Sequence, residues 1–444
     1  MASAAEQLAA NLNLGVFAKA TELKKRLWFT LGALVVYRIG SYIPVPGVDP
    51  NVMTDLLRQL GGGMLGMFDM FSGGALGRMT IFALNIMPYI TASIIIQLMT
   101  AAVPTLEALK KEGEAGRKKM NQYTRYLTVF IAIFQAWGIS VGLESGNAVI
   151  SPGWSFRIGC IVSLVGGTMF LMWVGEQITA RGVGNGVSLI IFAGIVANLP
   201  SALANTLELG RTGAISTFVI IFLLVMSVLV VGAVVFFERA QRRIVIQYPK
   251  RQVGNRMYGG DPTHLPLKLN TSGVIPPIFA SSLLLMPMTV AGFSREGGPD
   301  WLQGLSSYIA HGTPLYMAFY AGLIVFFTYF YTAVVFNPTE TADNLKKHGF
   351  IPGIRPGKAT ADYFDYVLTR LTTVGAIYLV LICLLPEILI SRYGVPFYFG
   401  GTSLLIVVSV TMDTISQIQA HLLAHQYEGA LRRARLGPRG RGRR

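Results

Sequence analysis

Hydrophobic residues along this chain are grouped into ten runs, each near the roughly twenty residues that an α-helix needs to cross a bilayer. Polar segments rich in Lys, Arg, Gly and Pro separate the runs. The pattern predicts an all-α polytopic membrane protein with ten transmembrane helices. The predicted spans lie near residues 27–43, 80–102, 123–143, 155–176, 186–204, 214–237, 273–292, 314–336, 371–390 and 398–416.

A shorter apolar stretch at about 64–72 lies between the first two spans and has glycines on both sides. As a helix it would be about 12 Å long, whereas a hydrocarbon core is roughly 30 Å thick. A short helix at membrane depth is tolerated only inside protein or beside a water-filled cavity. We therefore predict a small plug next to a central cavity. Its apolar side chains are those of Met64, Met67, Phe68, Met70 and Phe71.

One signature occurs twice. Residues 87–93 (MPYITAS) match residues 275–281 (IPPIFAS) at four of seven positions, a similarity that chance alone could produce. The two segments belong to the second and seventh predicted spans. Because their offset of five spans is odd, the pattern favours two inverted halves, the arrangement expected of membrane proteins with a central pathway.

Composition and charge agree with this architecture. The chain is 52% hydrophobic and 13% charged, with a mean hydropathy of +0.52, which excludes an ordinary soluble globule. The first 26 residues are polar and show no cleavage site, so we expect no removable signal peptide. With the N-terminus in the cytoplasm, most of the 37 Lys and Arg residues fall on cytoplasmic segments. The positive-inside rule then predicts that both termini are cytoplasmic.

Two predicted cytoplasmic loops, 238–272 and 337–370, are longer than a helix connection requires. The first has the pattern of a projecting β-ribbon with a basic tip, and the second presents one arginine between two Pro-Gly pairs. Arginine clusters suit contacts with phosphate, although a solvated basic face is an equally good interpretation. The candidate docking residues of the two loops are Arg242, Arg243, Lys250, Arg251, Arg256, Arg355 and Lys358.

Motifs for catalysis are missing from the sequence. It contains no nucleotide-binding loop, serine elbow or metalloprotease motif, so we expect no enzymatic activity, catalytic residue, cofactor or metal. Residues 182–186 (GVGNG) join two spans, which favours a tight turn over a phosphate site. A secondary transporter with inverted repeats is the alternative function. It would need polar groups converging at mid-membrane, and the spans carry almost none.

The second predicted span is interrupted by Pro88, and isoleucines stand out in this span and in the fifth instead. Ile86 and Ile90 lie four residues apart, as do Ile191 and Ile195, so each pair shares one helix face. From the pattern alone, ordinary packing in the core or against lipid is the simpler interpretation.

Nine motifs across residues 15–435 resemble those of the SecY family, the channel subunits of the bacterial protein translocon. They are MFSGGAL at 70–76, IMPYITASIIIQL at 86–98, RGVGNGVSLIIFAGI at 181–195, ERAQRRIVIQYPKRQ at 238–252, THLPLKLN at 263–270, GVIPPIFASS at 273–282, NPTETADNLKK at 337–347, PGIRPG at 352–357 and FGGTSLLIVV at 399–408. Two positions depart from the usual family residues: Asn85 replaces a glycine, and Asn255 replaces an arginine.

The resemblance implies two five-helix halves around an hourglass pore in a bacterial plasma membrane. The constriction would be a ring of six isoleucines, and the lateral gate would lie between spans two and three and spans seven and eight, with Gln97 and Asn270 near it. Tyr427 would join the docking residues. The implied partners are SecE, SecG, the SecA motor, the ribosome, signal peptides, nascent chains and anionic lipids. The ring positions are Ile86, Ile90, Ile191, Ile195, Ile278 and Ile406.

The resemblance also implies how the chain is divided. Residues 1–26 would be a cytoplasmic segment, 27–210 the first half with the plug, and 211–420 the second half with both docking loops. Residues 421–444 would form a basic cytoplasmic tail. The implied function is a channel that moves unfolded secretory chains across the membrane and releases transmembrane segments sideways.

Overall fold

The computed structural model describes most of the chain. The described residues are 21–49, 69, 72–145, 148–213, 216–247, 251–253, 256–258, 263–293, 313–393 and 401–436. Twelve helices and four short strands occur in these ranges. The helices are α1 (Thr21–Gly40), α2 (Met87–Ala102), α3 (Pro104–Lys111), α4 (Glu114–Ser145), α5 (Trp154–Arg181), α6 (Gly186–Arg211), α7 (Thr217–Arg239), α8 (Ile275–Phe293), α9 (Pro314–Val335), α10 (Pro338–His348), α11 (Lys358–Tyr393) and α12 (Gly401–Leu436).

A helix coincides with each of the ten predicted spans, but not every one of these helices is long and apolar enough to cross a membrane. Within the described residues, seven helices are long and apolar enough to cross a membrane, or eight if a bent pair counts as one span. The molecule is therefore a multi-pass membrane protein. The arrangement of ten spans in two inverted halves remains a prediction.

The bent pair is α2 and α3, whose axes differ in direction by 100°. Val103 between them is extended (φ −110°, ψ 113°) because the ring of Pro104 disfavours helical angles in the preceding residue. Charged residues Lys110 and Lys111 then end α3. The second predicted span thus ends in a polar helix that turns away from the direction of α2.

Proline begins helices here, which corrects the expectation that Pro88 breaks its span. Helix α2 starts at Met87, and Pro88 occupies its first turn. Pro276 and Pro277 occupy the same place in α8. A proline in the first turn loses no helical hydrogen bond, because that N–H has no partner within the helix. The repeated signature therefore marks two helix starts.

The glycine-rich stretch 182–186 is a tight turn, as predicted. Asn185 caps α6 by accepting a hydrogen bond from the Val187 N–H at 3.1 Å. A Cβ on Gly186 would lie 1.9 Å from the carbonyl oxygen of Gly175, so α5 and α6 approach each other at a point where only glycine fits. The turn also binds other elements, since Thr30 accepts from the Val183 N–H and Gln417 from the Gly184 N–H.

The same order of packing occurs twice along the chain. In one group α2 packs on α4, α4 on α5, and α5 on α6; in the other α8 packs on α9, α9 on α11, and α11 on α12. Helix α8 also contacts α2 and α4, while α12 contacts α6 and α7. One large hydrophobic cluster runs through both groups and contains the side chains described next.

Candidate functional site

The six isoleucines singled out from the sequence all belong to the large apolar cluster. Five are buried in it, and Ile278 packs against it partly buried. They come from four different places: the start of α2, the first half of α6, the first turn of α8, and α12. One apolar cluster thus contains isoleucines that are up to 320 positions apart (86 against 406). Their branched side chains offer no hydrogen-bonding groups.

The backbone of the turn before α2 explains how asparagine can replace the expected glycine at position 85. Its backbone has φ +50°, a left-handed conformation that glycine adopts freely and asparagine tolerates better than most residues. Asn85 is also buried, with 2% of its surface exposed. Asparagine therefore preserves the backbone of this turn and places an amide beside Ile86. The other departure, Asn255, lies outside the described residues.

The contact between α2 and α8 forms a closed seam. Ser282 on α8 donates a hydrogen bond to the sulfur of Met87 on α2 at 3.7 Å. Gln97, further along α2, donates to Ser93 on its own helix at 3.3 Å. Its side-chain carbonyl is buried without a hydrogen-bond partner among the described residues. This seam joins the two groups of helices through side chains that are small, apolar or weakly polar.

Asn270 lies just before α8 and is tied to α7 rather than to Gln97. Its amide nitrogen donates to the Glu238 carboxylate at 2.8 Å and to the Gly273 carbonyl at 3.1 Å. Its amide oxygen accepts from the Ser272 hydroxyl and the Gly273 N–H. Sequence reasoning missed Glu238, although an acidic residue ending an apolar run was a visible signal.

A cavity of about 470 Å³ opens beside this pair of residues. Its wall is mixed, with polar and apolar side chains, and is built by several helices and the loop before α8. Its polar contributors include Asn185, Ser188, Glu238, Lys268, Asn270, Ser409 and Asp413. A cavity with many polar side chains therefore adjoins the apolar cluster, with residues from α6, α7 and α12 in its wall.

The predicted plug side chains, Met64, Met67, Phe68, Met70 and Phe71, lie outside the described residues. Asp69 and residues 72–80 are described, and they are held tightly. The Asp69 carboxylate accepts from the Gly77 N–H at 2.6 Å, and Tyr37 donates to the Ser72 carbonyl at 3.2 Å. Burial raises the pKa of Asp69, while its hydrogen bond from Gly77 acts in the opposite direction.

Two arginines also hold the segment that contains Asp69 and residues 72–80, and we call this set of contacts the anchor. Arg38 and Arg78 both donate to the Gly73 carbonyl. Gly73 has φ +71°, and a Cβ there would lie 3.1 Å from the Cα of Gly194 on α6. The anchor thus needs glycine both for its backbone and for its close approach to α6. The sequence pattern did not single out either arginine as a functional residue.

The two long loops form one folded unit, which we call the docking platform (residues 241–247, 263–269 and 336–371). Strand β1 (Gln241–Ile246) pairs antiparallel with β4 (Thr263–Lys268), as the ribbon prediction required, and β2 (Arg251–Val253) pairs with β3 (Arg256–Tyr258). Gln247 and Phe350 exchange two backbone hydrogen bonds between the loops. Side chains of β1, β4, α10 and α11 share a separate hydrophobic core that includes Ile244, Leu267, Ala342, Phe364 and Val367.

The predicted docking residues are distributed over this platform. Arg242 and Arg243 on β1 are exposed, as are Arg355 and Lys358. Arg355 is presented on a turn whose flanking glycines have φ +83° and +108°. Lys250 lies outside the described residues, and only the backbone is described for Arg251 and Arg256 in β2 and β3 and for Tyr427 in α12.

A family model described as SecY matches residues 80–415, which include α2, the docking platform and the first part of α12. The chain belongs to the SecY family. The matched range contains all six isoleucine positions.

Relatives in the SecY family are similar over almost the whole chain. The Protein translocase subunit SecY of Escherichia coli strain K12 is 57% identical over 95% of this chain and 96% of its own length. The Protein translocase subunit SecY of Rickettsia conorii is 55% identical over 94% of this chain and 97% of its own length.

Solved structures show the same fold at low sequence identity. One, described as "The structure of a protein conducting channel", has a TM-score of 0.66 at 18% identity, covering 90% of this chain and 92% of that one. Another, "Sec61 in the Canine ribosome-channel complex from the endoplasmic reticulum", has a TM-score of 0.63 at 16% identity, with coverages of 90% and 92%.

Proposed function

We propose that this protein is the channel subunit of a protein translocase, which moves unfolded secretory polypeptides across a bacterial plasma membrane and releases transmembrane segments sideways into the bilayer. The observation that carries the proposal is that six isoleucines from four helices belong to one apolar cluster in a SecY-family chain. The alternative of a small-solute transporter gains no support from the family match.

The isoleucines act as a ring around the translocating chain. A charged side chain costs about 2.5–3.5 kcal/mol at the centre of a membrane helix, so a secreted chain needs an aqueous path. That path must not conduct ions when it is idle. Branched apolar side chains close it by excluding water, and they fit around any peptide without binding one particular sequence. The short segment at 64–72 serves as the plug.

The seam between α2 and α8 is the lateral gate in this proposal. Its described contacts are apolar or weak, such as the one between Ser282 and Met87, and no ion pair crosses it among the residues that the structure describes. Gln97 and Asn270 lie towards its cytoplasmic end. A signal peptide or transmembrane segment leaves the pore through this seam because lipid solvates its apolar side chains better than the pore does.

The docking platform and the C-terminal part of α12 bind the force-generating partners, SecA or the ribosome. Support comes from the exposed Arg242, Arg243, Arg355 and Lys358 and from the ribosome complex among the structural neighbours. SecE and SecG are the proposed small membrane subunits, and anionic lipids face the basic cytoplasmic segments. The ten predicted spans cross the membrane as two inverted halves, 27–210 and 211–420, with both termini in the cytoplasm.

Trapping a chain in transit tests this function. The protein is reconstituted with SecE and SecG in vesicles and given SecA, ATP and a secretory precursor that ends in a tightly folded domain. A photo-crosslinking amino acid at Ile90 or Ile406 should attach to the jammed precursor. The same amino acid at Ile158, which is 58% exposed on α5, should not. Equal cross-linking at Ile158, or none at Ile90 and Ile406, would contradict the channel.

A further inference from the structure

The base of the docking platform continues without interruption to the lateral-gate helix α8. Strands β1 and β4 pair from Ile246↔Thr263 to Gln241↔Lys268. The ladder extends one step further, since the Leu269 N–H donates to the Ala240 carbonyl at 2.9 Å. Asn270 follows directly, and α8 begins at Ile275. Only residues 270–274 separate the platform from the gate.

Asn270 makes this short connection stiff. Its side chain has two N–H donors and an oxygen with two lone pairs, and all four are used. Three of these bonds return to Ser272 and Gly273, which closes the connection into a compact turn. The fourth goes to Glu238 at the end of α7. Asn270 is 3% exposed, so water does not replace these bonds.

The platform itself is not a loose ribbon. Ile244 and Leu267 are buried against Phe364 and Val367 of α11, and the Gln247–Phe350 bridge fixes the second loop to the first. A force applied at Arg242 or Arg355 therefore acts on one packed body. That body reaches α8 through the Glu238–Asn270 contact and the turn that it stabilises.

We propose that Glu238 is a positioning residue that, through Asn270, transmits the docking of a partner on the platform to the first turn of α8. This inference rests on the proposed function of the platform and the gate. Without the contact, Gly273, whose φ of +64° lies in a region open to glycine, would absorb the displacement of the platform. A partner would then still bind, but its binding would no longer bias the gate.

Four variants separate this role from simple packing. Glu238→Gln keeps an oxygen that accepts from Asn270, so coupling should persist. Glu238→Leu removes the acceptor, and Asn270→Asp places two carboxylates together and removes the donor; both should uncouple the gate. The double variant Glu238→Gln/Asn270→Asp restores one hydrogen bond with donor and acceptor exchanged, and it should recover coupling.

The gate is read out with cysteines at Met87 and Ser282, whose side-chain atoms lie 3.7 Å apart. The native thiols, Cys160 and Cys383, are first replaced. A short bifunctional thiol reagent joins the pair in the closed gate, and SecA should slow this reaction in the parent protein. In Glu238→Leu and Asn270→Asp, we expect the factor by which SecA slows cross-linking to fall about ten-fold, which is within the range of allosteric couplings. The affinity for SecA should stay within about two-fold of the parent value.

Asn185→Asp is the matched control. It makes the same chemical change in the same cavity, but Asn185 caps α6 and its carboxylate replacement still accepts from the Val187 N–H. An unchanged SecA effect in Glu238→Leu, or a lack of recovery in the double variant, would overturn the inference. If Glu238→Leu does not fold, Asn270→Asp and the double variant make the same comparison. The cysteine cross-linking of the gate uses no precursor, so the two tests can fail separately. A wild-type protein that traps no precursor would refute the proposed function instead.

Discussion

Arg38 and Arg78 donate hydrogen bonds to one shared acceptor, the backbone carbonyl oxygen of Gly73, at 2.9 and 3.0 Å. Both guanidinium groups also lie over the ring of Tyr42, at 4.9 and 4.1 Å from its centre. Arg38 belongs to α1, whereas Gly73 directly follows the proposed plug segment. The helix and the end of the plug segment are thus joined by two cations, one carbonyl and one aromatic ring.

Removing this anchor should favour the open channel. We predict that Arg38→Met and Arg78→Met each raise the idle ion conductance, because a hydrogen bond from a charged donor stabilises the closed arrangement by about 1.5 kcal/mol, roughly a ten-fold effect. Methionine keeps the unbranched apolar stem. Since the two arginines share one acceptor, the remaining bond strengthens when one arginine is removed, and the double variant should show more than the product of the single effects. Planar bilayer recording of the reconstituted protein gives the conductance.

Arg211→Met is the control for the anchor, because Arg211 pairs with the neighbouring Glu208 on an exposed surface. It should leave the idle conductance unchanged. Conductances of the two anchor variants that equal those of the parent would show that the arginines do not hold the plug segment.

A polar residue among the six isoleucines should loosen the seal. We predict that Ile90→Asn and Ile406→Asn raise idle conductance and admit precursors with defective signal sequences, since an amide hydrogen-bonds water where the isoleucine excludes it. Ile90→Leu keeps the volume and the apolar character, and it should remain sealed. Single-channel recording and export of a signal-defective precursor measure both effects. A tight Ile90→Asn channel would argue that these isoleucines are ordinary core.

Gly186→Ala should destabilise the whole fold. Its new methyl group would lie 1.9 Å from the Gly175 carbonyl oxygen, so α5 and α6 would have to separate. We expect a loss of about 3 kcal/mol, the upper part of the usual range for overpacking, seen as a lower unfolding temperature in detergent. Gly232→Ala in α7 has no heavy atom within 4 Å of the new methyl group and should behave like the parent. Equal unfolding temperatures would contradict the tight crossing.

The sequence was sufficient to predict a helix at each of the ten spans, because the cost of burying polar groups in a bilayer forces twenty or so apolar residues to cluster. It did not locate helix ends such as Lys358 and Leu436, since outside the bilayer a polar helix continues without leaving an apolar run. The contact of Glu238 with Asn270 spans 32 residues and depends on the β1–β4 pairing, so no local pattern could reveal it. Ile191 and Ile195 were identified by motif, whereas their place in one apolar cluster with Ile406 required the packing of α6 on α12.

Arg355 should determine how well a motor drives export. Its side chain is exposed, and its backbone is held by the Thr360 hydroxyl, which donates to the Arg355 carbonyl at 2.9 Å. A guanidinium fixed on a turn can make paired hydrogen bonds to a carboxylate or phosphate, which a lysine cannot. We predict that Arg355→Glu lowers SecA-driven translocation by about ten-fold or more and that Arg355→Lys is intermediate, while idle conductance stays at the parent level.

Lys347→Glu separates this specific contact from diffuse attraction, because Lys347 is exposed on α10 of the same platform and the substitution changes the charge by the same amount. It should weaken translocation much less than Arg355→Glu, and raising the salt concentration should abolish its effect. Translocation of a fluorescent precursor into SecA-supplied vesicles measures all three variants. Equal defects in Lys347→Glu and Arg355→Glu would reduce Arg355 to one of several interchangeable charges, because only a positioned guanidinium makes the identity of the residue matter.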